Sequence, residues 1–208
     1  MGPFNKANYF IGLRITNTQV LERIGGLQGE LISKFEDLKK HEEGPSKSHI
    51  TLAVMHLSDE ESVDQCRTLL EQFKPQYSRE ERTISFTGLG AFGSKVLFAK
   101  PDKGIEFLKK LRSDLHEVLS ESDDIEVLEK EREFNPHLTL FKLRNERRGR
   151  KGEAGKSKIS LGDDINSYSD YDFGEQIADE IELLSMNKKK AEDGYYHSEG
   201  KFSLVEQE

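Results

Sequence analysis

The chain has 208 residues and a formal net charge of −8 at pH 7, and hydrophobic and charged residues each make up 34% of it. This balance predicts a single compact domain over residues 1–208, with a modest core and a charge-rich surface. No apolar run approaches the roughly 20 residues that a membrane-spanning helix needs. We therefore expect no membrane association and a cytoplasmic protein, with a nuclear location left open. The acidic charge argues against double-stranded DNA as a partner, because that affinity comes mainly from clustered Lys and Arg.

The first half of the chain alternates between strand and helix patterns. Residues 9–15 predict a strand, and apolar residues at helical spacing predict a helix over 18–38. Residues 49–55 form a short apolar run rich in β-branched side chains, which is typical of a buried strand. Ser58, with Glu61 three residues later, predicts the capping box of a second helix.

The second half of the chain adds short turns between neighbouring strands. It is predicted to contain a hairpin (83–92 with 95–100), a helix (102–120), a strand (137–143), a flexible polar loop (145–169), a short helix (171–179) and two closing strands (181–186 and 195–205). Helices and strands interleave, yet several strands follow one another directly. This order predicts an α+β fold with mixed or antiparallel sheets rather than a doubly wound parallel sheet.

One pattern occurs twice, a strand that opens with His-x-Thr after a proline-containing turn. The two copies are His49 with Thr51 and His137 with Thr139. Strand side chains alternate between faces, so each pair points to one side of its sheet. Each strand therefore offers one imidazole and one hydroxyl to the same face.

Such pairs suit the transfer of a phosphodiester. A neutral histidine can take a proton from the attacking hydroxyl while a charged histidine protonates the leaving oxygen, and both states are accessible near the ordinary histidine pKa of about 6.5. The threonine hydroxyls can donate hydrogen bonds to the non-bridging oxygens. This chemistry needs no metal and no cofactor. The residues alone leave open which histidine is the base, and also whether both histidines are merely structural.

The remaining histidines compete poorly for such a site. His56 is predicted to face away from His49 if the strand continues in register. A zinc site with Cys66, the single cysteine, would require that side chain to leave the apolar side of its helix. His197 is retained as a candidate for a supporting position beside the site.

Aromatic and basic side chains near the motifs are candidate substrate contacts. Rings that could stack on a base are Tyr195, Tyr196, Phe92 and Phe134, with Tyr196 favoured. Basic candidates are Lys188 and Lys190, and a second basic stretch spans 144–151. Solvated loop charges are the alternative interpretation of both basic stretches.

These residues resemble the two-histidine (2H) phosphoesterase superfamily, which is defined by two H-x-[ST] motifs on strands of two pseudo-symmetric lobes. The stretches NYFIGLRITN, SHITLAVMHL, TGLGAFGSKVLFAK, EFNPHLTLFKL, FGEQIADEIELLSMNKKK and DGYYHSEG are similar to the central domain of the A-kinase anchoring protein 7 group. The resemblance implies a bilobal fold with a groove between the lobes, binding of AMP-like nucleotides, and cleavage of 2′,5′-linked oligoadenylates that antagonises ribonuclease L. His49, Thr51, His137 and Thr139 match the four motif positions.

Two departures limit what the resemblance implies. Residues 147–169 are unusually charged and rich in Gly and Ser, so substrate contacts from that loop are in doubt. The sequence up to Glu208 shows no amphipathic helix of the kind that docks kinase regulatory subunits, so we do not expect that partner for this chain. Two other functions stay open: an RNA-processing phosphodiesterase acting on 3′-terminal or 2′,3′-cyclic phosphates, and an AMP-binding scaffold without turnover.

Overall fold

The computed structural model describes residues 7–128, 133–143 and 165–205. In chain order these form β1 (Tyr9–Arg14), α1 (Thr18–Lys34), β2 (His49–Leu57), α2 (Glu60–Gln72), β3 (Thr83–Phe92), β4 (Val96–Pro101), α3 (Ile105–Leu119), β5 (Ile125–Val127), β6 (Leu138–Lys142), β7 (Asp172–Ile177), β8 (Glu180–Ser185) and β9 (His197–Ser203). Two 3-10 helices, Glu36–His41 and Pro45–Lys47, lie between α1 and β2. The predicted α+β class is confirmed.

The strands form two sheets, and each sheet contains one of the His-x-Thr strands. The first sheet has the order β5-β2-β1-β8-β9, and the second has the order β6-β4-β3-β7. Every strand pair within the described residues is antiparallel. The motif strands β2 and β6 contact each other, so the sheets approach along them.

Helices α1 and α3 connect the two sheets by crossing over. Helix α1 follows β1 of the first sheet but packs against β7 of the second, whereas α3 follows β4 of the second sheet and packs against β2 and β5 of the first. In the first crossing, Arg23 Nη1 of α1 donates to Asp172 Oδ2 of β7 over 2.6 Å. These two helices thus link strands that belong to different sheets, whereas α2 packs against β2 and β9 of the first sheet alone.

The helix starts follow from local hydrogen bonding. The Asn17 side chain accepts from the backbone N–H groups of Gln19 and Val20 and caps α1. At α2, however, the cap is Asp59, which forms a capping box with Ser62, and not the predicted pair of Ser58 and Glu61. The shift by one residue reflects the carboxylate of Asp59, which accepts the bond from the Ser62 N–H over 2.9 Å.

The segment predicted as a short helix over 171–179 is instead strand β7. It pairs with β3, and Gly174 has a φ of 95°, which a right-handed helix does not permit. The three-residue strand β5 also has no counterpart in the prediction, because a strand this short shows no readable alternation.

The core is one large apolar cluster with a small satellite. The large cluster joins residues from both sheets and all three helices. Cys66 lies fully buried in it, and this burial raises the pKa of its thiol to about 12. The satellite contains Phe10, Leu184 and Tyr195. No helix among the described residues is long and apolar enough to cross a bilayer.

Gly88 lies where the register between β3 and β4 shifts, close to the backbone of Ser169. Its φ is +76°, and an added Cβ would lie 2.2 Å from the backbone oxygen of Ser169. We expect Gly88→Ala to lower the free energy of unfolding by at least about 2 kcal/mol, because both the backbone and the neighbour would have to move. Gly26→Ala on α1, where nothing lies within 4 Å, should instead stabilise by about 0.5–1 kcal/mol. Urea unfolding measures both; equal effects would contradict this account.

Candidate active site

A β-bulge interrupts the first motif strand directly after its threonine. In β2, Thr51 pairs with Gly12 while Ala53 pairs with Ile11, so Leu52 is the extra residue. Beyond a bulge the alternation of faces shifts by one residue. Val54 and the residues that alternate with it therefore join the face that carries His49 and Thr51.

The second motif strand carries a bulge at the equivalent position. In β6, Thr139 pairs with Phe98 while Phe141 pairs with Leu97, so Leu140 is extra. The Leu140 carbonyl accepts hydrogen bonds from Gln28 Nε2 and from the Glu43 N–H, both at 2.9 Å. The two motif strands are thus built alike beyond the motif itself.

Because of the two bulges, His56 faces the side opposite to the predicted one. A lysine that the sequence did not indicate also joins the site. His56 lies on the same face of β2 as His49, because the extra residue Leu52 shifts the alternation of side chains by one position. In the same way Lys142 of β6 comes to the His137 face. A simple alternation from His137 would have placed Lys142 on the other side.

Both motif histidines are fixed by the same backbone contact. His49 Nδ1 lies 2.8 Å from the Lys47 carbonyl oxygen, and His137 Nδ1 lies 2.9 Å from that of Asn135. We assign the proton to Nδ1 in each ring, because a carbonyl can only accept. The contact directs Nε2 of each ring away from that carbonyl, which is the orientation that proton transfer through Nε2 requires.

His49 lies in an aromatic setting. Its ring centroid is 5.0 Å from that of Phe10 and 5.6 Å from that of Tyr196, which meets it edge-on. The pKa of His49 is lowered to about 4: burial is the main cause, the Lys47 carbonyl and Glu43 oppose it, and the charges of Lys142 and His137 act in the same direction as burial. His49 is therefore neutral at pH 7 and can accept a proton.

His137 packs against a different pair of aromatic rings. Phe92 and Phe98 lie with their centroids 4.8 and 5.4 Å from the imidazole, and these two rings are 4.3 Å apart. Phe98 is buried, whereas Phe92 is 38% exposed at the end of β3. Phe92 is thus placed to contact both His137 and a ligand.

Polar contacts of Arg14 and Asp193 fix the loop beside His49. The Arg14 guanidinium lies 4.0 Å over the Tyr195 ring and forms an ion pair with Asp193. Asp193 Oδ1 also accepts from the Tyr195 N–H over 2.9 Å. These contacts position the loop so that Tyr196 packs against His49, and Lys190 Nζ lies 5.0 Å from the Tyr196 ring. Tyr196 and Lys190 therefore lie beside the motif, as candidate substrate contacts must.

Three predicted residues lie elsewhere. Tyr195 is only 1% exposed in the satellite cluster, so it supports the site from beneath and does not offer its ring to a ligand. Lys188 forms an ion pair with Glu199 at 2.8 Å, and His197 lies 3.7 Å from the same carboxylate. Both belong to the opposite face of the first sheet, because His197 is in register with Ser185 rather than with the groove-facing Leu184. Proximity in sequence to a motif does not reveal the face.

A cavity of about 490 Å³ opens between the two sheets at the motifs. Thr51 and Val54 line it from the first sheet, and His137 and Phe92 line it from the second. Phe134 also lines it, with the Arg112 guanidinium 5.0 Å from its ring. The basic stretch 144–151 and most of the predicted loop 145–169 lie outside the described residues. Within the described residues, no group of three or more His, Cys, Asp or Glu side chains could hold a metal ion.

Two antiparallel sheets with one His-x-Thr strand each, meeting at a shared cavity, define the fold class of the 2H phosphoesterases. E. coli LigT complexed with 3′-AMP matches with a TM-score of 0.64 at 15% identity, over 96% of this chain and 99% of that one. The structure of TT0787 from Thermus thermophilus matches with a TM-score of 0.58 at 20% identity, over 95% and 97% of the two chains. These identities establish the fold alone.

The sequence places the chain more narrowly. It belongs to the family of the AKAP7 2′5′ RNA ligase-like domain, whose family model matches residues 7–204. The human A-kinase anchor protein 7 isoform gamma is 33% identical over 205 residues. That alignment covers 96% of this chain but 58% of the human protein.

Proposed function

We propose that the chain is a metal-independent phosphodiesterase that cleaves 2′,5′-linked oligoadenylates and so counteracts ribonuclease L signalling, in the cytoplasm or the nucleus. One observation carries the catalytic part: both motif imidazoles are oriented by the same Nδ1 contact to a backbone carbonyl. Such a contact fixes the tautomer and the orientation of an imidazole, as a proton-transferring histidine requires. Membership of the AKAP7 2′5′ RNA ligase-like family supports the choice of linkage.

The surroundings of the histidines support an assignment of the two proton transfers. His49 is neutral at pH 7 because burial lowers the pKa of its ring, so we assign it as the base. It takes the proton from the 3′-hydroxyl next to the 2′,5′ linkage. The 3′-oxygen bonds to phosphorus, the bond to the 5′-oxygen breaks, and His137 protonates that leaving oxygen. The products are a 2′,3′-cyclic phosphate and a fragment with a free 5′-hydroxyl.

Hydroxyl and ammonium groups would hold the phosphate during this step. Thr51 and Thr139 share the faces of their histidines and can donate to the non-bridging oxygens. Lys142, which forms a 3.8 Å ion pair with Glu43, adds positive charge near His49. The phosphate is thus met from both sheets, with all of these groups supplied by the chain itself.

Turnover of 2′,5′-linked against 3′,5′-linked triadenylate tests the substrate, with and without a chelator. We expect cleavage of the 2′,5′ linkage at the same rate in excess chelator. Equal cleavage of both linkages, or turnover of a 2′,3′-cyclic phosphate alone, would instead assign an RNA-processing enzyme. Binding of AMP without turnover of any of these compounds would assign a nucleotide-binding scaffold.

The first product tests the internal attack. In ¹⁸O-labelled water, early samples should contain an unlabelled 2′,3′-cyclic phosphate, because the nucleophile belongs to the substrate and gains from proximity. Mass spectrometry separates this product from a linear monoester. A linear phosphate that carries label from the first turnovers onward would show that water attacks directly.

A further inference from the structure

A glutamine is buried where helix α1 meets the second motif strand. Gln28 is fully buried, on a face of α1 that is otherwise apolar and contributes Ile24, Leu27 and Leu31 to the core. Burial of an amide side chain costs free energy unless its polar atoms form hydrogen bonds. The contacts of Gln28 therefore indicate why a polar residue lies here.

The amide of Gln28 donates to two backbone carbonyls from distant parts of the chain. Its Nε2 lies 2.7 Å from the Glu43 oxygen and 2.9 Å from the Leu140 oxygen. Carbonyl oxygens only accept, so the nitrogen of the amide and not its oxygen must face them. The Leu140 oxygen also accepts from the Glu43 N–H over 2.9 Å, and Glu42 pairs with Phe141 as an isolated antiparallel bridge. Gln28 thus joins the segment before β2 to the bulge of β6.

The bulge needs these bonds because it interrupts the ladder between β6 and β4. Leu140 is its extra residue and is completely buried, and a buried carbonyl without a partner costs free energy. A regular strand would carry Lys142 on the face away from His137, whereas the bulge brings it to the same face. The bonds to the Leu140 carbonyl therefore stabilise the arrangement that brings Lys142 to the site.

The second bond of Gln28 acts on the partner of Lys142. Glu43 Oε1 lies 3.8 Å from Lys142 Nζ. The Glu43 carbonyl is bonded by Gln28 and its N–H by Leu140, so the backbone of Glu43 is fixed on both sides of its Cα. Besides burial, the main cause of the lowered pKa of His49, Lys142 and Glu43 both act on that pKa, so both charges lie near the ring. Both members of the ion pair are thus positioned by one buried amide.

We propose that Gln28 is a positioning residue for the reaction: through the Leu140 carbonyl and the backbone of Glu43, it holds Lys142 where its ammonium group binds the phosphate. This inference rests on the proposed function, in which Lys142 supplies positive charge to the phosphate. Gln28 lies in the core and touches no substrate itself. Its loss should therefore affect the reaction only as long as Lys142 is present.

A double-mutant cycle between Gln28 and Lys142 tests the proposal. Gln28→Met keeps the length and approximate volume of the side chain but removes the donor, and Lys142→Met removes the ammonium group. Lys142→Met should lower kcat/KM for 2′,5′-triadenylate about 10–100-fold, since hydrogen bonds to charged groups are among the strong ones. Gln28→Met should lower it about tenfold in the wild-type chain, but at most about twofold in a chain that already carries Lys142→Met.

Phosphate binding provides the same cycle without turnover. Inorganic phosphate is titrated into the wild type, the two single variants and the double variant, and its Kd is measured from NMR shifts of the histidine side chains. Both single replacements should raise this Kd, and the double variant should match Lys142→Met within about twofold. A glutamine that served the fold alone would leave the Kd unchanged in the folded protein.

Gln176→Met is the matched control for the loss of a buried amide. Gln176 is buried on β7, at the edge of the second sheet opposite β6, and its Oε1 accepts from the N–H groups of Thr16 and Asn17, both over 2.9 Å. Its replacement should lower the free energy of unfolding, as Gln28→Met does, but leave kcat/KM and the phosphate Kd unchanged.

Gln28→Glu keeps the proposal testable if Gln28→Met does not fold. A buried, neutral carboxyl group can still donate one of the two hydrogen bonds, so this variant should show the same coupling to Lys142 with a smaller loss.

Additive effects of the Gln28 and Lys142 replacements would overturn the proposal. So would a folded Gln28→Met variant with wild-type kcat/KM and phosphate Kd, or an equal loss in Gln176→Met, which would attribute the effect to stability alone. Failure of the proposed function has a different signature: the coupling in phosphate Kd persists, while the wild-type protein does not turn over 2′,5′-triadenylate.

Discussion

Replacing His49 or His137 by Ala is expected to lower kcat for 2′,5′-triadenylate by about 10²–10⁴-fold in each case. Each imidazole is fixed through Nδ1 by a backbone carbonyl, and the proposed mechanism gives each ring one of the two proton transfers. Because the two act in one step, the double variant should be little slower than either single variant. Initial rates measured under substrate saturation check this.

His197→Ala is the matched control for the loss of an imidazole. His197 is 43% exposed on the opposite face of the first sheet and lies beside Glu199. Its replacement should leave kcat within about twofold of wild type, and circular dichroism should show that all variants stay folded. If His49→Ala or His137→Ala keeps more than a tenth of the wild-type rate, the two-histidine mechanism is wrong.

The acid limb of the kcat/KM profile is expected near pH 4 rather than near 6.5. Burial lowers the pKa of His49 to about 4, and a base must be neutral to act. Activity is therefore retained at mildly acidic pH and lost as the pH falls through the pKa of His49. The limb at higher pH reports loss of the proton that His137 donates, which gives the profile its bell shape.

Tyr196→Ala should move this acid limb to higher pH. The Tyr196 ring meets His49 edge-on at 5.6 Å, and its removal opens the imidazole to water. A histidine with an ordinary pKa of about 6.5 is neutral in about one-tenth of molecules at pH 5.5, so the rate at pH 5.5 relative to pH 7.5 should fall about tenfold.

An NMR titration of the free enzyme, with the His49 resonance identified by its loss in His49→Gln, measures the same pKa directly. Phe92→Ala, which alters the surroundings of His137 instead, should leave the acid limb in place. A wild-type limb near pH 6.5, or a limb that Tyr196→Ala does not move, would refute the assignment of His49 as a base with a lowered pKa.

Periodicity predicted most of the elements because they are long and their apolar positions recur regularly. Helix α1 and strand β2 begin where the pattern placed them, since each buries a repeating face. Helix α1 ends at Lys34, however, and the last predicted turns form a separate 3-10 helix, Glu36–His41. The error over 171–179 has a tertiary cause: pairing with β3 and the positive φ of Gly174 outweigh a pattern that suits a helix equally well. Such pairing is invisible in a local window.

The motif residues could be found in the sequence because His and Thr two positions apart share a face in any strand. The rest of the site depends on geometry that alternation cannot supply. The bulge at Leu140 brings Lys142 to the His137 face, and no local signal marks it. Arg112 and Lys95 reach the cavity from α3 and the β3–β4 turn, far from both motifs in sequence. Aromatic content near the motifs identified Tyr196 and Tyr195 alike, although only Tyr196 reaches the imidazole with a partly exposed ring.

The crossed helices have a mechanical consequence. Helices α1 and α3 each pack against the sheet that they do not follow in the chain. The two sheets therefore cannot move apart unless one of these helices loses its packing contacts. Since His49 and His137 belong to different sheets, this bracing sets the span between them before any ligand arrives. We therefore expect the groove between the sheets to keep its width when a substrate binds. We accordingly expect the two sheets to unfold in a single cooperative transition.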